Sequence, residues 1–344
     1  MSVSVLNHRQ QDILKAVIQD HIETAEPIGS RTISRRHAFH LSPASIRNIM
    51  ADLEELGFLT QPHTSAGRVP TDRGYRLYVD SLMEPEQPSP GEVQRIQQQM
   101  GTTRGEAEEL LRETGRLLSG LTHYTCVVLA PRLDQNTFCR IEFVDLGRDR
   151  LLVVFVSASG LVLQKVVALD EPIDGEELAR IARYLDEVLE GKTLAEVRAF
   201  IVARMAEEKT LYDRLLARAL TLAQKALEDD QVEVYVDGAS HMARQPEFAD
   251  VEKMRAIFAA FEEKSRLVKI LDACLREVDV TVIIGNEAPV PGLGGISLIA
   301  SPYRAGGALA GAVALVGPTR MPYARMVPLV AYTAGLVSRV LTDA

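Results

Sequence analysis

Apolar residues recur at helical spacing in the first part of the chain. Ile13, Leu14, Val17, Ile18 and Ile22 share one face of a helix that Asn7 can cap and Pro27 stops. Ser30 opens a shorter helix through His37. A third helix begins at Ser42, whose side chain can accept a bond from a free amide, with Pro43 at the first helical position, where a missing N–H costs nothing. Ile46, Ile49, Met50, Leu53 and Leu56 form its apolar stripe, and Gly57 supplies the left-handed residue that ends it. Residues 58–61 read as a strand, 62–67 as a turn and 68–70 as a short return strand, after which Thr71 and Asp72 open another helix. Three helices followed by a hairpin outline a winged helix.

The stretch 84–91, EPEQPSPG, holds three prolines and no bulky apolar residue, so a stiff, exposed linker is expected there, over 85–91, between a first domain at 1–84 and the rest. A helical pattern over 92–123, interrupted near Gly101 and Gly105, carries Leu110, Leu111, Leu117, Leu118 and Leu121. Strands are expected at 125–130, 138–146, 151–157 and 161–169. Helical spacing then dominates 174–229, where Leu178, Ile181, Leu185 and Val188 form one stripe and Thr193 with Glu196 makes a capping box. The next stripe runs through Leu194, Val197, Ile201, Leu211, Leu215, Leu216 and Leu220, and serves either as a dimer surface or as a private core. Strand signals return at 232–236, 280–284, 296–300 and 309–316, with helical patterns at 251–275 and 323–341. The order suits an antiparallel sheet with helices packed on it, an α+β layout at 92–171 and 231–344 interrupted by a helix-rich insert at 172–230.

On the third helix, Ser42, Ala44, Ser45, Arg47 and Asn48 lie opposite the apolar stripe, small or forked as a major groove requires. Arg can bond both acceptors of guanine and Asn can pair with adenine, each good pair giving about 1–3 kcal/mol of discrimination. The hairpin tip offers His63, Thr64, Ser65 and Arg68 to phosphates or a narrow minor groove. Arg31, Thr32 and Arg35 on the second helix, and Arg73, Tyr75 and Arg76 on the fourth, are expected at the backbone.

A net charge of −9 would argue against a nucleic-acid partner if it were uniform. It is not: residues 1–83 hold nine Lys/Arg and nine Asp/Glu, so the acidic excess belongs to the remainder, and 28–50 carry Arg31, Arg35, Arg36 and Arg47 without one acid. Five of the seven histidines, His8, His21, His37, His40 and His63, also fall in this part. Cys126, Cys139 and Cys274 are widely spaced, with no metal-ligand pattern, and fit a reducing compartment. Neither a signal peptide nor an apolar run of membrane-spanning length is expected, which points to the cytoplasm and away from a membrane.

The words SIRNIMADLEELGFLTQPHTSAGRVPTDRGYRLYVDSLM, residues 45–83, resemble the N-terminal signature of the HrcA heat-inducible transcription repressors of bacteria almost residue for residue. The resemblance implies a winged-helix homodimer on an inverted-repeat operator in double-stranded DNA, upstream of chaperone operons, with chaperonin adjusting its activity. It also implies a GAF-like fold for the α+β part and dimerisation through the helical insert. An alternative is a metabolite-responsive regulator with a ligand pocket in the GAF-like domain.

Patterns that would point to an enzyme do not complete themselves. Gly292, Gly294 and Gly295 precede a strand and match no phosphate-binding loop. His241 near Asp237 and Ser240 lacks a nucleophile elbow, and Glu262, Glu263 and Lys264 read as a solvated helix face. No catalytic residue, cofactor or metal is expected.

Overall fold

The computed structural model describes residues 6–64, 66–102, 107–131, 137–158, 162–169, 173–193, 196–197, 221–222, 233–248, 268, 270–271, 274, 279–288, 295–306 and 308–343. The chain divides into two compact units, one of 1–129, 234–302 and 312–337, the other of 130–233, 303–311 and 338–344.

The first unit begins with α1 (His8–Thr24), α2 (Ser30–Arg36) and α3 (Pro43–Glu55). Asn7 caps α1 in a reciprocal box with Gln10, and Ile13, Leu14, Val17 and Ile18 are buried along its inner face. They pack with Ile33 of α2 and with Ile46, Met50 and Leu53 of α3 in a core closed by Phe58 and Leu59. Asp20, buried in α1, takes Arg36 Nη1 at 3.1 Å and His37 Nε2 at 3.2 Å, which ties the end of α2 to α1. Strands β1 (Leu59–Thr60) and β2 (Val69–Pro70) pair antiparallel, Leu59 opposite Pro70. The residues between α1 and α2 add a third line to this hairpin, because Ile28 and Arg68 exchange both backbone bonds at 2.8 Å. Gly67 permits that approach, since a Cβ there would overlap the Ile28 backbone. Helix α4 (Asp72–Leu77) follows, capped by Thr71, and runs on as a π-helical turn over Tyr78–Leu82.

Residues 84–89 adopt no regular structure, and α5 (Pro90–Thr102) and α6 (Ala107–Thr122) succeed them. Next come β3 (Thr125–Leu129), later β7 (Val234–Asp237), the single turn α8 (Ala239–Met242), β8 (Thr281–Ile284), β9 (Ile296–Ala305) and β10 (Ala308–Pro318). These strands form one sheet in the order β7-β3-β10-β9-β8, with β3 antiparallel to both its neighbours. Helix α9 (Tyr323–Asp343) closes the chain. Its stretch Tyr323–Thr342 has the length and apolarity of a membrane span, unlike the sequence expectation, yet Leu329, Val330, Thr333, Ala334 and Val337 of it are buried in the protein's core. Cys126 and Cys274 are buried and Cys139 is exposed, all three as free thiols; burial pushes the Cys274 thiol up to about 11 and Cys126 higher still.

The second unit holds β4 (Phe138–Asp145), β5 (Arg150–Ser157), β6 (Val162–Ala168) and α7 (Gly175–Leu189). Its sheet, in the order β4-β5-β6, is separate from the five-stranded one. Phe138, Ile141, Leu151, Val153, Phe155 and Val167 on one face pack against Leu178, Ile181, Leu185 and Leu189 of α7. Val144, Val162 and Val166 are exposed. The expected grouping of 92–171 in one domain is therefore corrected: strands 138–168 leave β3 and join the unit of α7. The period of a strand reports which face it buries and not which strand it pairs with, so alternation alone could not separate the two sheets. The helical stripe from Leu194 to Leu220 lies outside the described residues apart from Val197, which is buried against α7, and the helical pattern at 251–275 lies largely outside them.

Gly67→Ala forces a side chain into the Ile28 backbone, and overpacking of this kind costs about 1–3 kcal/mol. The expected outcome is a lower thermal midpoint for the first unit and faster amide exchange at Ile28 and Arg68, with the spectroscopic helix content retained.

Candidate nucleic-acid interface

The candidate surface is built on α3. Ser42 Oγ accepts from Ser45 N at 3.1 Å, so the helix starts where the sequence places its cap, and Ser42 Oγ lies 3.0 Å from Ser45 Oγ. The two hydroxyls thus engage each other, and Ser42 serves first as a cap. Ile46, Met50 and Leu53 are buried, whereas Ala44, Ser45, Arg47 and Asn48 are exposed on the first two turns. At the other end, Arg73 Nη1 donates to Leu56 O at 3.0 Å and its guanidinium lies 4.7 Å from the centre of the Phe58 ring. Arg73 therefore satisfies a terminal carbonyl of α3, a structural task in addition to the backbone role expected of it. Thr71 Oγ1 donates to Gly57 O at 2.7 Å and adds a second tie at the same end.

The hairpin stands beside this helix. Gln61 Nε2 donates to Thr64 O at 3.0 Å and to Ala66 O at 2.9 Å, and Ala66 N donates to His63 O at 2.8 Å, so the tip is held by its own bonds. His63 and Thr64 are exposed; Ser65 lies outside the described residues. Arg68 differs from its expected place at an open tip, because its Nε lies 2.8 Å from Glu54 Oε2 and most of its side chain is covered. It nevertheless lines a cleft of about 400 Å³ with Arg31, Arg47 and Met50, walled by residues 28–30 and 66–67. That cleft brings together one arginine from each of α2, α3 and the hairpin. Thr32 and Arg35 are exposed on α2.

Two expectations for α4 are corrected. Tyr75 is 1% exposed and its hydroxyl lies 2.8 Å from His21 Nδ1, so it belongs to the core and touches no outside partner. Its ring also faces that of Tyr323, 6.0 Å away. Arg76 faces the five-stranded sheet: Nε donates to Glu287 Oε1 at 2.8 Å, Nη2 to Glu287 Oε2 and to Val282 O at 2.6 Å, and Nη1 to Asp80 Oδ1 at 3.1 Å. These bonds, the one to Glu287 foremost, hold the guanidinium's pKa above its ordinary value. Burial alone would raise the Glu287 carboxyl, yet the bonds from Arg76 and from Ile284 N hold it below the usual range. The sequence carried no local sign of either partner, since Glu287 lies 211 positions from Arg76.

The arrangement offers exposed forked and amide donors on a rigid helix, a basic cleft and a pinned hairpin. Such a surface suits an anionic partner presenting acceptors along a groove. No group of three or more metal-ligating side chains occurs among the described residues.

The chain, a helix-and-hairpin head joined to a mixed α and β body, is classed as a transcription regulator by its full-length relatives. Residues 108–327 match the family described as HrcA protein C terminal domain. The heat-inducible transcription repressor HrcA of Geobacter sulfurreducens is 47% identical over 336 residues, 98% of each chain, and that of Syntrophobacter fumaroxidans is 44% identical over 344 residues, 99% of each. The chain belongs to the HrcA family of heat-inducible transcription repressors. A crystal structure of a hypothetical protein solved at 2.2 Å has the same fold, with a TM-score of 0.65, 23% identity and coverage of 98% of this chain and 99% of that one.

Burial lowers the His21 pKa below its ordinary 6.5, the Arg320 charge lowers it further, and Glu247 opposes both. The unfolded chain therefore binds this proton more readily than the folded one. Stability from a neutral His21 is full above about pH 6.5 and declines as pH falls from there toward the lowered folded value. Chemical denaturation between about pH 7 and about pH 5 is expected to show this loss, and His21→Gln, which keeps a bond for Tyr75 but does not titrate, to flatten it.

Proposed function

We propose that the protein represses transcription as a homodimer whose two α3 helices enter successive major grooves of an inverted-repeat operator. In this reading the head is a winged helix, with Ala44, Ser45, Arg47 and Asn48 at base edges and Ser42 at the phosphate beside the helix start. His63, Thr64, Ser65 and Arg68 form the wing, and Arg31, Thr32, Arg35 and Arg73 contact the backbone. The five-stranded sheet with its helices is the GAF-like body. The observation that carries the reading is that Arg47 and Asn48 are exposed on a helix whose opposite side, Ile46, Met50 and Leu53, is buried. A helix so backed keeps its outward side chains in register with a groove, and two half-sites together reach specific affinities of about 10⁻⁸–10⁻¹¹ M.

Self-association fits the second unit, which leaves Val144, Val162 and Val166 exposed on one sheet. The partners in this reading are operator DNA, a second copy of the chain, and chaperonin, which restores the folded dimer after heat; the protein acts in the cytoplasm, where its DNA lies. The physical requirement for such a heat response is a marginal fold, because about 1–2 kcal/mol of stability changes the active population severalfold.

A gel shift with the cognate operator and a scrambled duplex tests the reading. Arg47→Ala and Asn48→Ala are each expected to lose about 1–3 kcal/mol of discrimination, or about 5- to 150-fold in the affinity ratio. Arg31→Ala is expected to weaken both duplexes alike and to reduce the salt slope by about 1. An unchanged ratio for both α3 variants would show that this face of the helix does not read bases.

A further inference from the structure

The head is tied to the five-stranded body at two places. At the first, α4 meets β8. Arg76 forks onto Glu287 and reaches Val282 O, while one turn earlier Asp72 Oδ2 accepts from Asn286 N at 3.0 Å and from Asn286 Nδ2 at 2.9 Å. Ile284 N donates to Glu287 Oε2 at 2.9 Å, so the receiving carboxylate is itself held. Gly285, at φ +53°, sits so close that a Cβ there would overlap the Asp72 carboxylate.

The second tie comes from Arg320, just before α9. It pairs with Glu247, donates Nη2 to Gln245 Oε1 at 2.9 Å, and donates Nη1 to Ile22 O, near the end of α1, at 3.3 Å. Between the two ties the Tyr75 and Tyr323 rings meet. A single tie would leave the head free to pivot about it. Two ties with a ring contact between them remove that freedom, so the direction in which α3 faces is fixed relative to the five-stranded sheet.

We propose that Arg76, with Asp72 as its companion, is a positioning residue that determines which half-site spacing the dimer accepts. The inference rests on the DNA-binding reading above and adds a geometric consequence to it. Binding of the second head is intramolecular, with an effective concentration governed by the link between the heads. A stiff link makes that concentration high at one spacing and negligible at others, whereas a loose link spreads it over many. Arg76 does this without touching DNA, because its guanidinium is spent on Glu287, Val282 and Asp80.

The test uses the full-length protein and the inverted repeat that the unaltered chain selects from random duplexes. Affinities are measured for a lone half-site and for repeats whose spacing changes one base pair at a time. The unaltered protein is expected to give a single sharp maximum. Arg76→Ala should keep lone half-site affinity within about twofold, lose about tenfold or more at the best spacing, and flatten the profile. Arg76→Lys should restore part of the maximum, since an ammonium regains the charge pair but not the fork. Gly285→Ala, which wedges the same seam without altering a charge, should flatten the profile as Arg76→Ala does. Failure of the unaltered protein to select any duplex would refute the DNA-binding reading and this inference with it. A selected repeat whose spacing profile is the same in all variants would overturn this inference alone.

Discussion

The burial of one side of α3 is the constraint on which the rest depends. Ile46, Met50 and Leu53 are almost wholly removed from water against α1 and α2, and each such side chain contributes about 1.5–3 kcal/mol. A helix has only one way to bury that stripe, so its other side faces outward without further instruction. The cap at Ser42, the bond from Arg73 to Leu56 O and the tie from Thr71 to Gly57 O stop both ends from fraying. Packing leaves over the exposed turn that bears Arg47 and Asn48.

Charge follows a similar division of labour. The first 83 residues balance their nine cations with nine acids, and several of those acids are occupied internally, Asp20 with Arg36 and Glu54 with Arg68. On α2 and the first two turns of α3 the exposed charges, Arg31, Arg35 and Arg47 among them, are all basic, while the acidic excess of the chain lies elsewhere. Such a distribution favours a local anionic contact and discourages indiscriminate binding. Family membership gives this surface its biological setting, that of a heat-inducible transcription repressor.

Much of the head was legible because its signals are local. Asn7, Ser42 and Thr71 cap helices within three residues of their partners, and Gly57 takes the positive φ of +77° that its place after an apolar stripe required. Tyr75 was not legible. On α4 an aromatic with a hydroxyl serves equally as a phosphate donor or as a core residue, and its partner His21 is 54 positions away. The pairing of β4 to β6 apart from β3, and the fork of Arg76 onto Glu287, depend on long-range packing to which no short window of sequence is sensitive.

In the proposed reading the outward turns of α3 and the adjoining hairpin meet DNA while α4 stays inside. Hydrogen exchange of the full-length protein with and without its selected duplex tests it most directly. Slowed exchange is expected at residues 42–48 and 59–69, with 75–78 unchanged. Exchange that is unaltered at 42–48 while another part of the chain is slowed by the same duplex would contradict it.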